Sequence, residues 1–172
     1  MIVVIGGVSG TGKSTVGMML ASKLGWAFED GDALHPAANI AKMRAGIPLT
    51  DEDRWPWLWA VGSWIDQRAA AGEPAVVACS ALKRSYRDLL RRDRPEVRVV
   101  ILYISRETLA ARLASRHGHF FPARLLDSQL AQLELPGPDE PALIVREAGP
   151  PSQVVDEIIL RLGLAADRTG GQ

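Results

Sequence analysis

The sequence predicts an α/β fold in which a parallel sheet carries helices on both faces. Short apolar runs rich in β-branched residues recur along the chain, as in strands that are buried on both faces. Segments with the apolar spacing of helices separate these runs, which is the pattern of repeated strand–helix–strand units. The first run leads into a glycine-rich loop, Gly7 to Ser14, that fits the phosphate-binding pattern G-x-x-x-x-G-K-[S/T] at every fixed position.

The strands are predicted to form one five-stranded parallel sheet between two layers of helices. The runs assigned to strands are residues 1–5, 26–30, 75–79, 97–104 and 142–145. In such a sheet ligands gather beyond the carboxyl ends of the strands. The glycine-rich loop, Gly31-Asp32 and the residues after Cys79 are therefore expected on one rim.

Helices are predicted between the strands from their apolar spacing and their end signals. They cover residues 15–24, 36–45, 51–71, 83–92, 106–116 and 122–133, and a last helix is capped by Ser152 and ends at Gly163. Thr50 is a predicted N-cap with Asp53 as its capping-box partner. Gly118 and the apolar residues that follow predict a hinge and a small helical lid at 117–135.

The composition limits the classes of protein that the chain can belong to. With 172 residues we expect one domain over residues 1–165, followed by a frayed tail at 166–172. Lys plus Arg and Asp plus Glu both number 20, so the basic excess typical of a nucleic-acid binder is missing. The single cysteine, Cys79, excludes a disulfide framework. No signal segment or membrane-spanning run is found, and a cytoplasmic protein without a membrane partner is expected.

The glycine-rich loop predicts binding of a nucleoside triphosphate with Mg²⁺. Glycines let the backbone turn tightly and point its N–H groups at phosphate oxygens. Lys13 adds a positive charge near the β- and γ-phosphates, and the Ser14 hydroxyl is the usual protein ligand for Mg²⁺. The predicted nucleotide contacts in this loop are Gly10, Thr11, Gly12, Lys13, Ser14 and Thr15.

Two residues after the second strand are candidates for the chemistry of an acceptor. Asp32 could accept a proton from a substrate hydroxyl or hold Mg²⁺ through water, but Gly-Asp is also common in plain turns. His35 precedes Pro36 and by itself is better explained as a residue that caps a helix. The sequence alone leaves both readings of Asp32 open.

Several basic residues are candidates for binding anions. Arg54 could clamp a substrate carboxylate or form a surface ion pair. Lys83 and Arg87 are four residues apart on a basic helix whose start lies at the rim, so they share a face. Arg112 and Arg116 are also four apart, next to the predicted lid, where arginines can stabilise the charge of a moving phosphoryl group.

Four tryptophans lie on the long third helix. Their spacing cannot place all four on one narrow face, so we expect some of them to be partly exposed. Core filling is the default interpretation, and a homodimer interface is the alternative. The four are Trp55, Trp57, Trp59 and Trp64.

Taken together, these stretches resemble the gluconokinase family of small P-loop kinases, which are relatives of shikimate and nucleoside-monophosphate kinases. The resemblance runs from Met1 to about Pro136. The stretches Asp30 to Pro36 and Cys79 to Arg87 are far more specific than the glycine-rich loop. Further matching stretches are Asn39 with Lys42-Met43, Gly46 to Arg54, Pro56-Trp57-Leu58, Gly118 to Phe121 and Ser128-Gln129.

The resemblance implies ATP-dependent phosphorylation of D-gluconate at its terminal hydroxyl, giving 6-phospho-D-gluconate. It implies that Asp32 is the catalytic base, together with Lys13 and Arg116 as catalytic residues. It also implies gluconate contacts from His35, Arg54, Lys83 and Arg87, and lid contacts to ATP from Arg112 and Arg116. The alternatives are a kinase for another small hydroxy acid such as shikimate, and a nucleotide-binding module without turnover.

Overall fold

The computed structural model describes residues 1–115, 123–146 and 149–165, and alternates strands with helices in the predicted order. Its strands are β1 (Ile2–Gly6), β2 (Ala27–Asp30), β3 (Ala75–Ala78), β4 (Val97–Tyr103) and β5 (Ala142–Arg146). Its helices are α1 (Lys13–Leu24), α2 (Ala37–Arg44), α3 (Asp51–Ala70), α4 (Arg84–Arg91), α5 (Arg106–Ala114), α6 (Ala123–Gln132) and α7 (Pro151–Leu162). A short 3₁₀ turn, Gly31–Leu34, follows β2.

The five strands form one parallel sheet in the order β2-β3-β1-β4-β5, which confirms the predicted fold class. Along β1, Val4 pairs with Val77 of β3 and Val99 of β4, so the central strand is apolar on both sides of its ladder. Because side chains alternate across a strand, Ile2 and Val4 face one layer while Val3 and Ile5 face the other.

Each face of the sheet is covered by its own pair of helices. On one face α3 and α4 contribute Trp57, Leu58 and Leu90 to a buried cluster. On the other face α1 and α7 contribute Leu20 and Ile158. The result is three layers with two separate apolar cores. A third, smaller cluster joins the start of the glycine-rich loop to α5 and α6 above the rim; it contains Val8, Leu82, Ile104, Leu109 and Leu126.

Two local predictions need correction, and one short element was not predicted. The first helix begins at Lys13 and not at residue 15, because Gly12 adopts the left-handed conformation that starts it (φ 88°). The last helix begins at Pro151, so Ser152 lies inside it and is not its cap. The 3₁₀ turn after β2 has no apolar periodicity that could have predicted it. It is stabilised by the Asp30 side chain, which accepts a hydrogen bond from the Asp32 amide.

The start of α3 is held as predicted. The Thr50 hydroxyl accepts a hydrogen bond from the Asp53 amide, and the Asp53 carboxylate accepts one from the Thr50 amide. The tryptophans of this helix also behave as expected, since Trp57 is 1% exposed and Trp59 is 61% exposed. Within the described ranges, none of the helices is both long enough and apolar enough to cross a bilayer.

Candidate active site

A cavity of about 550 Å³ opens at the carboxyl edge of the sheet. The glycine-rich loop lines one part of it and the chain after β2 another, and α2 with the residues that follow it, α3 and α6 line much of the rest. Lys13, Ser14, Asp32, His35 and Arg54 all line this single cavity. The structure therefore brings together the predicted phosphate site, the predicted base and part of the predicted acceptor site.

The backbone of the glycine-rich loop has the geometry of an anion cradle. Gly7, Gly10 and Gly12 all have positive φ angles, which favour glycine. A Cβ on Gly7 would lie 2.6 Å from the carbonyl oxygen of Leu102, so no other residue fits there. Thr11 is buried, and its hydroxyl donates to the carbonyl of Val8 at 2.9 Å, which closes the loop from within. The Thr11 backbone N–H also faces the Val8 carbonyl, at 3.4 Å, and Thr11 is not among the residues that line the cavity.

Lys13 and Ser14 stand at the start of α1, where the helix presents unsatisfied backbone N–H groups and a positive dipole end. The first turn contains no acidic residue that would compete with an anion. Lys13 is half-buried and its ammonium lies 3.2 Å from the Val8 carbonyl. Thr15 is exposed and also lines the cavity.

Asp30 completes the cation-binding chemistry and was missed by the sequence analysis. Its Oδ2 accepts a hydrogen bond from the Ser14 hydroxyl at 2.7 Å, and its Oδ1 accepts from the Asp32 amide at 3.0 Å. No group of three His, Cys, Asp or Glu side chains in the described ranges forms a ready-made metal site. The oxygens of Ser14 and Asp30 suit Mg²⁺, which keeps several waters and takes its remaining ligands from phosphate.

Asp32 lies in the 3₁₀ turn and is exposed to the open cavity. Loss of solvation within the surrounding protein raises the pKa of its carboxyl group above the usual value, and the charge of Asp30 raises it further. The Lys13 ammonium opposes this by lowering the pKa. A carboxylate with a raised pKa, in a cavity that the phosphate-binding loop also lines, has the chemistry to take a proton from an attacking hydroxyl.

His35 is 9% exposed and stacks on Trp57, with ring centroids 4.1 Å apart and planes 13° from parallel. The indole N–H of Trp57 donates to the Gly31 carbonyl at 2.8 Å, so Trp57 orients both the imidazole and the turn that carries Asp32. Burial, and then the charge of Arg54, lower the pKa of His35 to about 4. The imidazole is consequently neutral at physiological pH.

Arg54 lies in the first turns of α3 and is 6% exposed. Its Nη1 donates to the Tyr86 hydroxyl at 3.3 Å and to the side-chain oxygen of Gln132. Within the described part of the chain, no carboxylate forms an ion pair with this guanidinium. The Asp51 carboxylate shares the Tyr86 hydroxyl with Arg54, and its pKa is lowered by hydrogen bonds from Tyr86 and Lys83 and also by the Arg54 charge. A nearly buried cation that lines a cavity without a direct ion pair is a candidate site for a ligand anion.

Comparisons with known proteins agree with this geometry. A family model described as "AAA domain" matches residues 2–136. A gluconokinase from Gluconobacter oxydans (strain 621H) is 53% identical over 156 residues, which cover 91% of this chain and 88% of that protein. The crystal structure of a gluconokinase from Sinorhizobium meliloti 1021 is 49% identical with a TM-score of 0.84, and the match covers 96% of this chain and 93% of that one. The chain belongs to the gluconokinase family.

A more distant match shows the fold alone. The crystal structure of shikimate kinase from Aquifex aeolicus vf5 has a TM-score of 0.57 at 17% identity, over 95% of this chain and 96% of that one. The gluconokinase family and this neighbour thus share the sheet and its helices, whereas the acceptor side has to be assigned from the residues of this chain.

Two predicted gluconate contacts of this gluconokinase-family chain do not line the cavity. Lys83 forms an ion pair with Asp51, with 2.9 Å between its Nζ and Oδ1, and Asp51 in turn accepts a hydrogen bond from Tyr86. Arg87 is 0% exposed, and its Nε lies 2.5 Å from Oε1 of Glu140, which is also buried.

The expectation that Arg87 binds gluconate is therefore corrected. Its Nη1 and Nη2 groups donate to three backbone carbonyls and to the second oxygen of Glu140, so its donors are engaged inside the protein; the carbonyls are those of Ala81, Leu82 and Glu134. Arg87 holds the β3–α4 connection and the chain before β5 together.

Of the two predicted lid arginines, the structure describes Arg112 and not Arg116. Arg112 lies on α5 beside Leu113, which lines the cavity, but Arg112 itself is not among the lining residues. Arg116, the predicted hinge at Gly118 and most of the predicted lid segment before α6 lie outside the described residues.

Helix α6 supplies two glutamines that the sequence analysis did not single out as site residues. The side-chain oxygen of Gln129 accepts a hydrogen bond from the Ser9 amide of the glycine-rich loop at 2.7 Å. Three residues later, Gln132 accepts from Arg54. The i,i+3 spacing was readable from the sequence, but the partners are distant in the chain. One helix thus contacts both the phosphate side and the acceptor side.

Proposed function

We propose that the protein transfers the γ-phosphoryl group of ATP to the terminal hydroxyl of D-gluconate, giving 6-phospho-D-gluconate and ADP. The observation that carries the proposal is one cavity that joins a complete phosphate-binding loop to Asp32 and to Arg54, a buried cation that forms no direct ion pair with the described residues. Identity of 53% to a gluconokinase over most of both chains supports the choice of acceptor.

The loop residues bind and orient the nucleotide. Gly10 and Gly12, which line the cavity, would present backbone N–H groups to the phosphates, and Thr15 lines the same cavity. Thr11 would contribute its own N–H only by releasing the Val8 carbonyl. Lys13 contributes charge that stabilises the transferred group as the bond to ADP breaks. Ser14 and Asp30 would hold Mg²⁺, which when bound neutralises phosphate charge and orients the phosphate chain.

Asp32 acts as the base in this proposal. Its carboxylate takes the proton of the terminal hydroxyl while that oxygen bonds to phosphorus and the bond between phosphorus and the β–γ bridging oxygen breaks. The raised pKa of Asp32 brings it closer to working pH than that of an ordinary aspartate. Since phosphoryl transfer has a loose transition state, orientation of the hydroxyl is as much a part of this role as proton removal.

Arg54 and His35 recognise the sugar acid. The planar guanidinium of Arg54 suits the carboxylate of gluconate, and the neutral imidazole of His35 suits a neutral hydrogen bond. A neutral sugar in the same place would leave the Arg54 charge unpaired, and such mismatches lower specificity constants by large factors.

The remaining roles extend the same proposal. Residues 1–165 would form one domain with a lid at 117–135 that closes over ATP. Arg112 and Arg116 would then contact ATP and stabilise the phosphoryl group. Lys83 would reach gluconate only by leaving Asp51. The protein would work in the cytoplasm on a small-molecule substrate, and the exposed Trp59 marks the helix on which a homodimer interface would be sought.

The test is an ADP-release assay across gluconate, shikimate, glucose, glycerate and AMP. We expect turnover with gluconate, and values of kcat/KM for the others lower by at least two powers of ten. A preference for shikimate or glycerate would replace gluconate by another hydroxy acid. Hydrolysis or binding of ATP without any acceptor turnover would contradict the enzymatic assignment.

A further inference from the structure

Asn39, on α2, is 3% exposed and uses its side-chain amide nitrogen in two directions. This nitrogen lies 2.8 Å from the backbone oxygen of Asp53 and 3.2 Å from Nδ1 of His35. A backbone oxygen can only accept a hydrogen bond, so the atom that faces Asp53 must be the NH₂ group of the amide. The orientation of the Asn39 side chain is thereby fixed by its chemistry.

The same NH₂ group determines the protonation of His35. An amide nitrogen only donates, so Nδ1 of His35 must offer its lone pair. In a neutral imidazole the proton is then on Nε2. A doubly protonated ring would place an N–H against the NH₂ of Asn39, in addition to lying next to the charge of Arg54 in a desolvated position.

The ring also has little freedom to turn. Trp57 stacks on it at 4.1 Å, and Trp57 is itself held by its hydrogen bond to Gly31. His35 lines the cavity while its Nδ1 is engaged by Asn39. Nε2 is therefore the ring nitrogen left for a bound substrate.

We propose that Asn39 is a positioning residue that fixes His35 in the Nε2–H tautomer, so that the imidazole is an obligate neutral hydrogen-bond donor to an oxygen of the sugar acid. This inference rests on the proposed function for the identity of the substrate. The Nε2–H group can donate to either a hydroxyl oxygen or a carboxylate oxygen of the substrate. The opposite tautomer would present a lone pair, which repels a carboxylate oxygen and which a hydroxyl could meet only by donating its own proton.

The tautomer is tested without any substrate. In protein labelled with ¹⁵N-histidine at pH 7, we expect His35 to show a protonated Nε2 and an unprotonated Nδ1. The chain has three histidines, so the variant His35→Gln assigns the signals by their loss. A proton on Nδ1, or a doubly protonated ring at pH 7, would overturn the inference whether or not gluconate is the substrate.

The role in binding is tested with Asn39→Asp. A carboxylate at this position accepts a hydrogen bond from Nδ1 and draws the proton there, which leaves a lone pair on Nε2 in a neutral ring. We expect the KM for gluconate to rise about tenfold, the cost of one hydrogen bond to a charged or polar substrate, with the KM for ATP within about twofold of the parent. A parental gluconate KM with a moved proton would overturn the donor role. The ¹⁵N signals of the variant distinguish a moved proton from a doubly protonated ring, which would keep the Nε2–H donor and should then keep the parental gluconate KM.

A matched control and a rescue separate this role from a structural one. Lys42 also ties α2 to α3, through two contacts of its Nζ to Asp53 at 2.9 and 2.8 Å. Lys42→Met should leave both the tautomer and the gluconate KM as in the parent. In the double variant Asn39→Asp/His35→Gln, the glutamine amide can donate irrespective of any tautomer, so the gluconate KM should fall back towards that of His35→Gln alone. A double variant whose gluconate KM is as high as that of Asn39→Asp would contradict the proposal.

Discussion

Arg54 and Arg87 are both almost completely buried, 6% and 0% exposed, but they use their guanidinium groups in different ways. Arg87 faces Glu140, which neutralises its charge, and its Nε, Nη1 and Nη2 groups all donate inside the protein. Arg54 donates from Nη1 to Tyr86 and Gln132, two neutral groups, and lines the cavity.

The difference shows what makes a buried cation a binding residue. Removing a charge from water costs several kcal/mol, which a counter-ion and a full set of hydrogen bonds can offset. For Arg87 the protein itself supplies both. For Arg54 the hydrogen-bond partners among the described residues are neutral, and the Asp51 carboxylate acts on it without a direct ion pair, so an anionic ligand would stabilise the charge further. The same contrast holds between the acids, since Glu140 is paired with Arg87 whereas Asp32 faces the cavity.

The largest effect is expected when Arg87 loses its side-chain charge. Arg87→Met leaves Glu140 buried and poorly compensated, and among the described residues the contact from Arg91 at 3.2 Å is the one ion pair that remains. The free energy of unfolding should fall by about 3–5 kcal/mol, as for other broken buried pairs. Urea denaturation measures this, and Arg87→Met/Glu140→Leu should recover much of the loss. Parental stability with a raised gluconate KM would return Arg87 to the binding site.

Arg54→Met should have the opposite profile. We expect kcat/KM for gluconate to fall about 10²- to 10³-fold because the substrate carboxylate loses its buried partner. The free energy of unfolding should stay near that of the parent, since a charge without a direct ion pair is removed. Steady-state kinetics with gluconate and glucose checks this. The preference for gluconate should collapse, and equal losses for both substrates would place Arg54 outside carboxylate recognition.

Asp32→Asn addresses the acid that faces the cavity. The amide keeps the size of the side chain but loses its basicity, so kcat should fall by about 10²-fold, the scale of general-base effects. The KM for ATP should change little. Single-turnover kinetics separates the chemical step from binding. A normal kcat with a raised KM for gluconate would make Asp32 a binding residue only.

Gln132→Leu tests whether neutral partners orient Arg54. The guanidinium keeps Tyr86 but loses one acceptor, and we expect the gluconate KM to rise about fivefold. In the Arg54→Met background, Gln132→Leu should not raise the gluconate KM further, because the two side chains act together. Additive effects of the two substitutions in a double-mutant cycle would show that Gln132 acts independently of Arg54.

The sequence predicted what depends on local pattern. The strands follow from runs of β-branched residues, and the phosphate loop and the Thr50–Asp53 cap follow from residues close together in the chain. Partners distant in the chain were out of reach. Glu140 lies 53 residues from Arg87, and Gln129 lies 120 residues from Ser9. Asp30 was readable in principle because it ends a strand beside the loop, yet its bond to Ser14 spans 16 residues and follows no periodicity.

The smallest expected effect is a dependence of stability on pH that arises from His35. Burial, and then the nearby charge of Arg54, lower its pKa to about 4 in the folded protein, whereas the unfolded chain keeps the ordinary value near 6.5. Between these values the unfolded state binds more protons, so the free energy of unfolding decreases as the pH falls from 6.5 to 4. Above pH 6.5 the ring is neutral in both states and adds no pH dependence to the free energy of unfolding.

The measurement is urea denaturation of the parent and His35→Gln at matched pH values. The difference between their free energies of unfolding should change with pH only between 4 and 6.5. In Arg54→Met the pKa of His35 in the folded protein should rise towards 6.5, because the Arg54 charge no longer lowers it. The pH range over which stability changes should become narrower. If the difference in the free energy of unfolding between the parent and His35→Gln is flat from pH 4 to 6.5, His35 is not held neutral. The charge of Arg54 would then have no measurable effect on its neighbour, and the contrast with the neutralised Arg87 would lose this support.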